Sequence, residues 1–494
     1  MISNALEKAR SYEAAAERGI DPGQRPGFHL GARTGWMNDP NGFGLYKGQY
    51  HLFYQYHPYD SHWGPMHWGH AVSRDLLHWD YLPCALAPDR PYDEAGCFSG
   101  SALELPDGRH VLMYTGVSRR TEPDGSTRLI QTQCLAFGDG ENYEKYEGNP
   151  VLTEKDLPEG GSPYDFRDPK LLQLPDGSFR CLVANDNRDG GGQILLYESQ
   201  DLLRWCFVCA AAANRGRLGL MWECPDLFTL DDTRVLLLSA QDMLPQGFEY
   251  HNGNGTVALL GEPDPVDEAL RERADQAVDY GIDFYAPQTI LTPDGRRIMV
   301  GWLQNWDTCN QHFRNYPWFG QMSLPRELFV RGGRLCQRPL RELERLRGEA
   351  LCFTGLRLPG GELALPGVRG RMMELELELI PDGGLYQRFS LRFAKNQAYH
   401  TSVSFRPHES VLKVDRKFSG SRRAIIHQRR AKVDHEAGRL KLRLILDRFS
   451  CEVFVGGGEK VLSMAVDTPL EADGVSLFSD GQVSVNLTYR PLIP

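Results

Sequence analysis

Phe166 to Gly177 reads FRDPKLLQLPDG: an arginine-aspartate pair, a short apolar run and a Pro-Asp-Gly turn, with the apolar-rich SFRCLVA following at residues 178–184. A tight turn between two such runs is the signal of a β-hairpin. The unit recurs: Lys47-Gly48, Pro106-Asp107-Gly108, Asp231-Asp232 and Pro293-Asp294-Gly295 also precede apolar or aromatic runs, such as His110 to Tyr114 and Val235 to Leu238. Counting back from the turns reaches Asp39 (48−39=9), Ser99 (107−99=8), Asp168 (176−168=8), Glu223 (232−223=9) and Tyr285 (294−285=9). Five polar positions therefore share one phase of a repeated hairpin.

Successive turns are separated by 59 (107−48), 69 (176−107), 56 (232−176) and 62 (294−232) residues. A four-stranded propeller blade takes about 40 to 50 residues, and loops supply the remainder, so the spacing predicts a five-bladed β-propeller. Equivalent strands of the blades line the central channel, and residues at one phase gather at one end of it. Asp39, Asp168 and Glu223 would then face one pocket, as glycosidase chemistry requires of its carboxylates.

With 494 residues, of which 41% are hydrophobic and 24% charged, the chain exceeds the size at which a single core stops growing, about 250 to 300 residues. Two domains are expected. The 51 Gly and 31 Pro are dispersed as turn residues, as a chain of many short strands requires. A net charge of −10 argues against nucleic acid or an anionic membrane as partner. The opening MISNALEKARSYEAAAERG has no continuous apolar core and reads as a short helix rather than a signal peptide. No run approaches the roughly 18 apolar residues of a membrane span. Eleven cysteines form an odd set without metal or disulfide spacing, and Cys134, Cys181, Cys206 and Cys209 fall in apolar runs, which predicts reduced core residues of a cytoplasmic protein.

Residues 1–26 are read as the helix and a polar connector, 27–337 as the catalytic propeller and 338–352 as a linker with helical propensity. In 353–494 strict alternation, as in MELELELI from Met373 to Ile380, predicts a β-sandwich. Within the propeller, Val266 to Val278 (VDEALRERADQAV) has the spacing of one inserted helix. The sandwich carries few clusters suited to chemistry, so a structural or carbohydrate-contacting module is the plainer reading. Its edge strands offer a route to homo-oligomers.

Three strings carry the chemistry. Trp36 to Gly42 (WMNDPNG) is by composition a turn, but Trp36 and Met37 provide the apolar platform a sugar site needs beside its polar groups. In FRDPK the plain reading is a surface ion pair; if Asp168 is buried, Arg167 beside it would keep it ionised, an acceptor for hydroxyls. In WECPDLF, Trp222 to Phe228, Glu223 sits among weakly polar neighbours, an environment suited to a proton donor. Taken alone it is as readily a lone glutamate beginning a strand, and the shared phase decides in favour of chemistry.

WMNDPNG, FRDPK and WECPDLF in this order resemble glycoside hydrolase family 32, the invertases and related β-fructofuranosidases. Further matching strings are GFHL at Gly27, WGPMHWGHAVSRDLLHW from Trp63, FSGS from Phe98, DFYAPQT from Asp283, LPREL from Leu324 and, late in the chain, LDRFSCEVFVGGGE from Leu446. The likeness covers nearly the whole chain and implies a five-bladed propeller followed by a sandwich. It implies Asp39 as nucleophile, Glu223 as acid/base and Asp168 as transition-state stabiliser. It places Asn38, Gln55, Trp63, Phe98, Ser99, Arg167, Tyr285 and Trp302 around the fructosyl unit.

The expected reaction is retaining hydrolysis of a terminal β-D-fructofuranoside, with sucrose or sucrose 6-phosphate as substrate and no metal or cofactor. Arg188, His312 and Arg314 are candidates for a phosphate site, although solvated loop charge is the plainer reading of each. Alternatives on the same scaffold are a fructan exo-hydrolase or a fructosyltransferase. A non-catalytic sugar-binding relative would lack one of the three carboxylates, and all are present. A propeller acting as a protein scaffold gives no reason for carboxylates in phase.

Overall fold

The computed structural model describes residues 2–187, 190–266, 268–309, 316–420 and 426–494. The N-terminal helix runs Asn4–Glu17, with Ser3 Oγ accepting from the Leu6 N–H as its cap. Beyond it, apart from short 3-10 turns, the described chain is all-β.

Five antiparallel sheets follow one another along the sequence. Each begins with one of the expected hairpins, and the first arms of these are Gly35–Tyr46, Gly96–Glu104, Gly161–Gln173, Trp222–Leu230 and Tyr285–Leu291. These are called the lead strands of sheets 1 to 5. The Lys47-Gly48 and Asp231-Asp232 loops have positive φ at both residues (48° and 76°; 48° and 61°), the backbone that a two-residue loop needs to match strand twist. Trp318–Phe319, from a segment inserted in sheet 5, returns to pair in parallel with Gly35 and Trp36 of sheet 1.

Both faces of the second strands are buried, which is why they read as unbroken apolar runs. Leu112 and Tyr114 pack with Phe53 and Trp68 of sheet 1, whereas Val111 and Met113 pack with Phe166 and Val183 of sheet 3. In sheet 4, Leu236 and Leu238 meet Ile194 and Leu196 of sheet 3, and Val235 and Leu237 meet Phe284 and Met299 of sheet 5. Ile298 and Val300 of sheet 5 join Leu52 and Tyr54 of sheet 1 in a cluster that also takes Leu6 and Ala9 of the N-terminal helix. The lead strands touch in the same cyclic order, the fifth lying against the first. The five sheets thus close into a ring with their lead strands together.

The helix expected at 266–278 does not form. Leu270–Ala277 is a strand, the fourth of sheet 4, paired antiparallel to Gly253–Pro263; Asp267 lies outside the described residues. As the outermost strand it leaves Arg271, Glu272 and Arg273 exposed, so it shows no period-two pattern, and the spacing of Leu270, Ala274 and Ala277 mimics a helix. A second correction concerns cysteine: Cys206, on the edge strand Cys206–Ala213, and Cys352 are exposed, while Cys134 and Cys181 are buried. No disulfide occurs among the described residues.

After a 3-10 turn at Arg341–Leu346, anchored by buried Leu343 and Leu346, two six-stranded sheets share one core. Leu375, Leu377 and Leu379 of MELELELI point into it, against Phe389, Leu391 and Phe405 of the facing sheet, and Glu376 and Glu378 alternate outward. Burying each such leucine is worth about 1.5 to 3 kcal/mol. No helix among the described residues is long and apolar enough to cross a membrane.

Candidate active site

All five phase-sharing residues lie on lead strands, at the same irregularity. Pairing with the second strand slips between Met37 and Pro40, Phe98 and Gly100, Arg167 and Lys170, Glu223 and Asp226, and Tyr285 and Gln288. These slips are β-bulges, which bend a strand and re-aim a side chain. WMNDPNG is therefore not the turn its composition suggests but part of a bulged strand. Three bulge residues that are not glycine adopt positive φ: Asp168 (63°), Cys224 (50°) and Ala286 (51°). Such a conformation costs on the order of 1 kcal/mol and is held in each case by the preceding sheet. The N–H of Asp168 donates to Thr115 Oγ1 (2.9 Å), that of Cys224 to Asp168 Oδ2 (3.0 Å) and that of Ala286 to Ser239 Oγ (2.9 Å).

The bulges gather the carboxylates. Asp39 accepts from Asn38 Nδ2 at Oδ1 (3.0 Å) and from Ser99 Oγ at Oδ2 (2.7 Å), which fixes the plane of its carboxyl. The Cys224 thiol spans Asp39 Oδ2 (3.7 Å) and Asp168 Oδ2 (3.5 Å), so these two aspartates lie side by side. Glu223 accepts from Arg167 Nε at Oε1 (3.0 Å), and at Oε2 from the Tyr285 hydroxyl (2.7 Å) and Gln241 Nε2 (2.8 Å).

Around them, Trp36 Nε1 donates to Asn38 Oδ1 (2.7 Å), and the Trp36 ring lies 5.0 Å from Phe319 and 5.9 Å from buried Trp302. Gln55 Nε2 donates to the Cys97 carbonyl (2.9 Å), tying sheet 1 to the lead strand of sheet 2 beside Phe98. Trp63, on the loop before His67–Ser73, turns its ring edgewise to Phe98 at 6.3 Å and is 49% exposed, an apolar platform at the rim. The structure thus brings together all the expected sugar-site residues. Arg188, His312 and Arg314 lie outside the described residues.

Electrostatics correct one expectation. Burial first, and then the charge of Glu223, push Asp39 from the usual 3.8 up to about 6, with Asn38 and Ser99 partly offsetting the rise. Asp168 is likewise raised by burial and by Glu223 and Asp39, against the pull of Arg167. Arg167 favours the ionised Asp168 through its charge alone, since its hydrogen bonds go to Glu223, Asp165 and Gln131, and burial with the neighbouring carboxylates outweighs it.

Sequence reasoning missed Cys224, Gln241, Thr115 and Gln131. Gln241 had a signal: strands paired about the turn at Asp231-Asp232 place residues 239 and 240 opposite 223 and 222, with Gln241 next. Gln131, which accepts from Arg167 Nη1 (3.3 Å) and the Phe166 N–H (2.8 Å), had none, since nothing local marks a residue 36 positions from its partner.

Residues 29–339 match the Glycosyl hydrolases family 32 N-terminal domain, and residues 342–491 match Glycosyl hydrolases family 32 C terminal. A raffinose invertase of Escherichia coli is 36% identical over 467 residues, covering 92% of either chain. A sucrose-6-phosphate hydrolase of the same organism is 35% identical, covering 93% of either. Among solved structures, a β-fructofuranosidase of Bombyx mori superposes over 100% of both chains with a TM-score of 0.84 at 35% identity. A mutant of that enzyme in complex with sucrose gives a TM-score of 0.83 at 34% identity, again over the full length of both. On two family domains that together span nearly its whole length, the chain belongs to glycosyl hydrolase family 32.

Proposed function

We propose that this chain is a retaining β-fructofuranosidase acting on sucrose or sucrose 6-phosphate. In this reading the five sheets of 27–337 are the five blades of a propeller, 338–352 is a linker and 353–494 is a sandwich. Asp39 attacks the anomeric C2 of the fructosyl unit as Glu223 gives its proton to the glycosidic oxygen, so that the C2–O bond breaks to a covalent fructosyl enzyme and the free aglycone. Water, losing its proton to the same glutamate, then releases fructose and restores Asp39. Asp168 binds ring hydroxyls, in bonds that strengthen as oxocarbenium character develops and so raise rate more than affinity. Asn38 and Ser99 orient the nucleophile, Arg167 and Tyr285 orient Glu223, and Trp36, Gln55, Trp63, Phe98 and Trp302 form the walls.

One observation carries this reading: three carboxylates from three sheets converge through bulges at equivalent positions, with Asp39 and Asp168 joined by one thiol. The relatives' names supply the substrates, disaccharides that a cytoplasmic enzyme meets after import. The test is kcat/KM for fructose release from sucrose and from sucrose 6-phosphate, side by side, with Asp39→Asn and Glu223→Gln as blanks. Release from either sugar that both substitutions abolish supports the proposal. Release that survives Asp39→Asn refutes the mechanism, and no release from either sugar refutes the substrate class.

A further inference from the structure

Glu223 has three donors, and one of them has no part in the mechanism just given. Arg167 and Tyr285 reach it from sheets 3 and 5, whereas Gln241 belongs to its own sheet, in the strand Thr233–Met243 that pairs with the lead strand. The Gln241 backbone is clamped on both sides just ahead of Glu223: its N–H donates to the Met221 carbonyl (2.9 Å) and its carbonyl accepts from the Leu220 N–H (2.8 Å). From that fixed base Nε2 reaches Glu223 Oε2 at 2.8 Å. Gln241 itself is half-buried, and its neighbours Leu220 and Leu244 are 64% and 79% exposed, so it lies between Glu223 and the protein surface.

We propose that Gln241 is a positioning residue that aims the Glu223 carboxyl at the leaving-group oxygen. The proposal rests on the acid/base role assigned to Glu223 above. The chemistry of the donors explains why an amide stands there. Over one turnover Glu223 alternates between carboxylic acid and carboxylate. An arginine can only donate hydrogen bonds, but a primary amide donates through NH2 and accepts through its oxygen. By turning about its last side-chain bond, Gln241 can hold Oε2 when it is bare and also when it carries the proton, so the rotamer of Glu223 is kept through both steps.

The test separates aiming of the acid from general damage. Gln241→Met keeps the side-chain length and removes the amide; Gln241→Leu serves if that variant does not fold. Two substrates are compared through kcat/KM, which reports steps only as far as fructosylation: sucrose, whose leaving oxygen needs a proton, and β-D-fructofuranosyl fluoride, whose fluoride departs with little protonation. Misplacing a general acid costs about 10- to 100-fold. Gln241→Met is therefore expected to lose that much on sucrose while staying within about threefold of wild type on the fluoride. An equal loss on both substrates, or no loss on either, overturns the proposal. Glu223→Gln measured alongside distinguishes the underlying reading: if it too loses equally on both substrates, the acid role of Glu223 itself fails.

Discussion

At the scale of single residues, the site carries a strain whose sign can be worked out. Burial and the neighbouring Glu223 charge raise Asp39 to about 6. In the proposed mechanism Asp39 must be ionised to attack, so kcat/KM is expected to fall as pH drops through about 6, well above the usual carboxylate range. Ser99 Oγ, with Asn38 Nδ2 and the Cys224 thiol, is one of three side-chain donors that stabilise the ionised form. A hydrogen bond to a charged group is worth about 1.5 kcal/mol or more, so Ser99→Ala should move the acid limb of the kcat/KM profile upward by about one pH unit. An unmoved limb in a folded variant would separate Asp39 from that limb. The same elevation makes Asp39 a source of instability: with its folded value above its unfolded one, the protein gains stability from this group as pH falls from about 6 towards 4. The carboxylates and their immediate neighbours were legible in the sequence because the motif strings hold them next to the turns. Cys224 stood inside one of those strings without its role showing, since a thiol between two carboxylates is a property of three strands at once.

Elements explain how such a site is held. Three of the five bulges leave a buried N–H that the strand ladder cannot satisfy, and the preceding sheet accepts it through Thr115, Asp168 or Ser239. Thr115 also donates to Gln133 Oε1 (2.9 Å), whose Nε2 donates to the Phe166 carbonyl (2.7 Å). Thr115→Val keeps the shape but orphans the Asp168 N–H and the Gln133 oxygen. A loss of about 1 to 3 kcal/mol in unfolding free energy is expected, with a drop in kcat of about tenfold as Asp168 loosens. Denaturant titration and steady-state kinetics on sucrose check both, and unchanged kinetics would mean that the bulge holds itself. Hairpins were legible because their turns are local chemistry. The bulges were not, because Asn-Asp-Pro-Asn-Gly has the composition of a turn whether or not a strand runs through it. Leu270–Ala277 was misread for the same reason: an outermost strand exposed on both faces carries no alternation, and only its partner Gly253–Pro263 makes it a strand.

At the scale of the whole molecule, the segment ahead of sheet 1, the ring and the sandwich are pinned by charges that no local reading could pair. His29 lies between Asp447 (2.8 Å from Nδ1) and Glu452 (3.0 Å from Nε2), and Arg326 of sheet 5 donates to Glu452 (2.8 Å) and Asp279 (3.0 Å). Burial alone would lower His29, but the two carboxylates overcome it and raise it to about 9. Because the folded value exceeds the unfolded 6.5, the stability from His29 is complete below about 6.5 and is lost as pH rises through about 9. His29→Gln, which leaves buried Asp447 without its cation while Glu452 keeps Arg326, should cost about 3 to 5 kcal/mol near pH 6. The gap in unfolding free energy to wild type should narrow as pH approaches and passes 9; a constant gap would mean that His29 is neutral in the folded protein. The central claim, that residues drawn from five sheets form one fructosyl-transferring site, is tested most directly by trapping the intermediate. Glu223→Gln is incubated with β-D-fructofuranosyl fluoride, which needs little acid to react and leaves an ester that the variant lacks a base to hydrolyse, and is then digested and analysed by mass spectrometry. One fructosyl unit on the peptide carrying Asp39 is the predicted result; an unlabelled protein, or a label on any other residue, would contradict it.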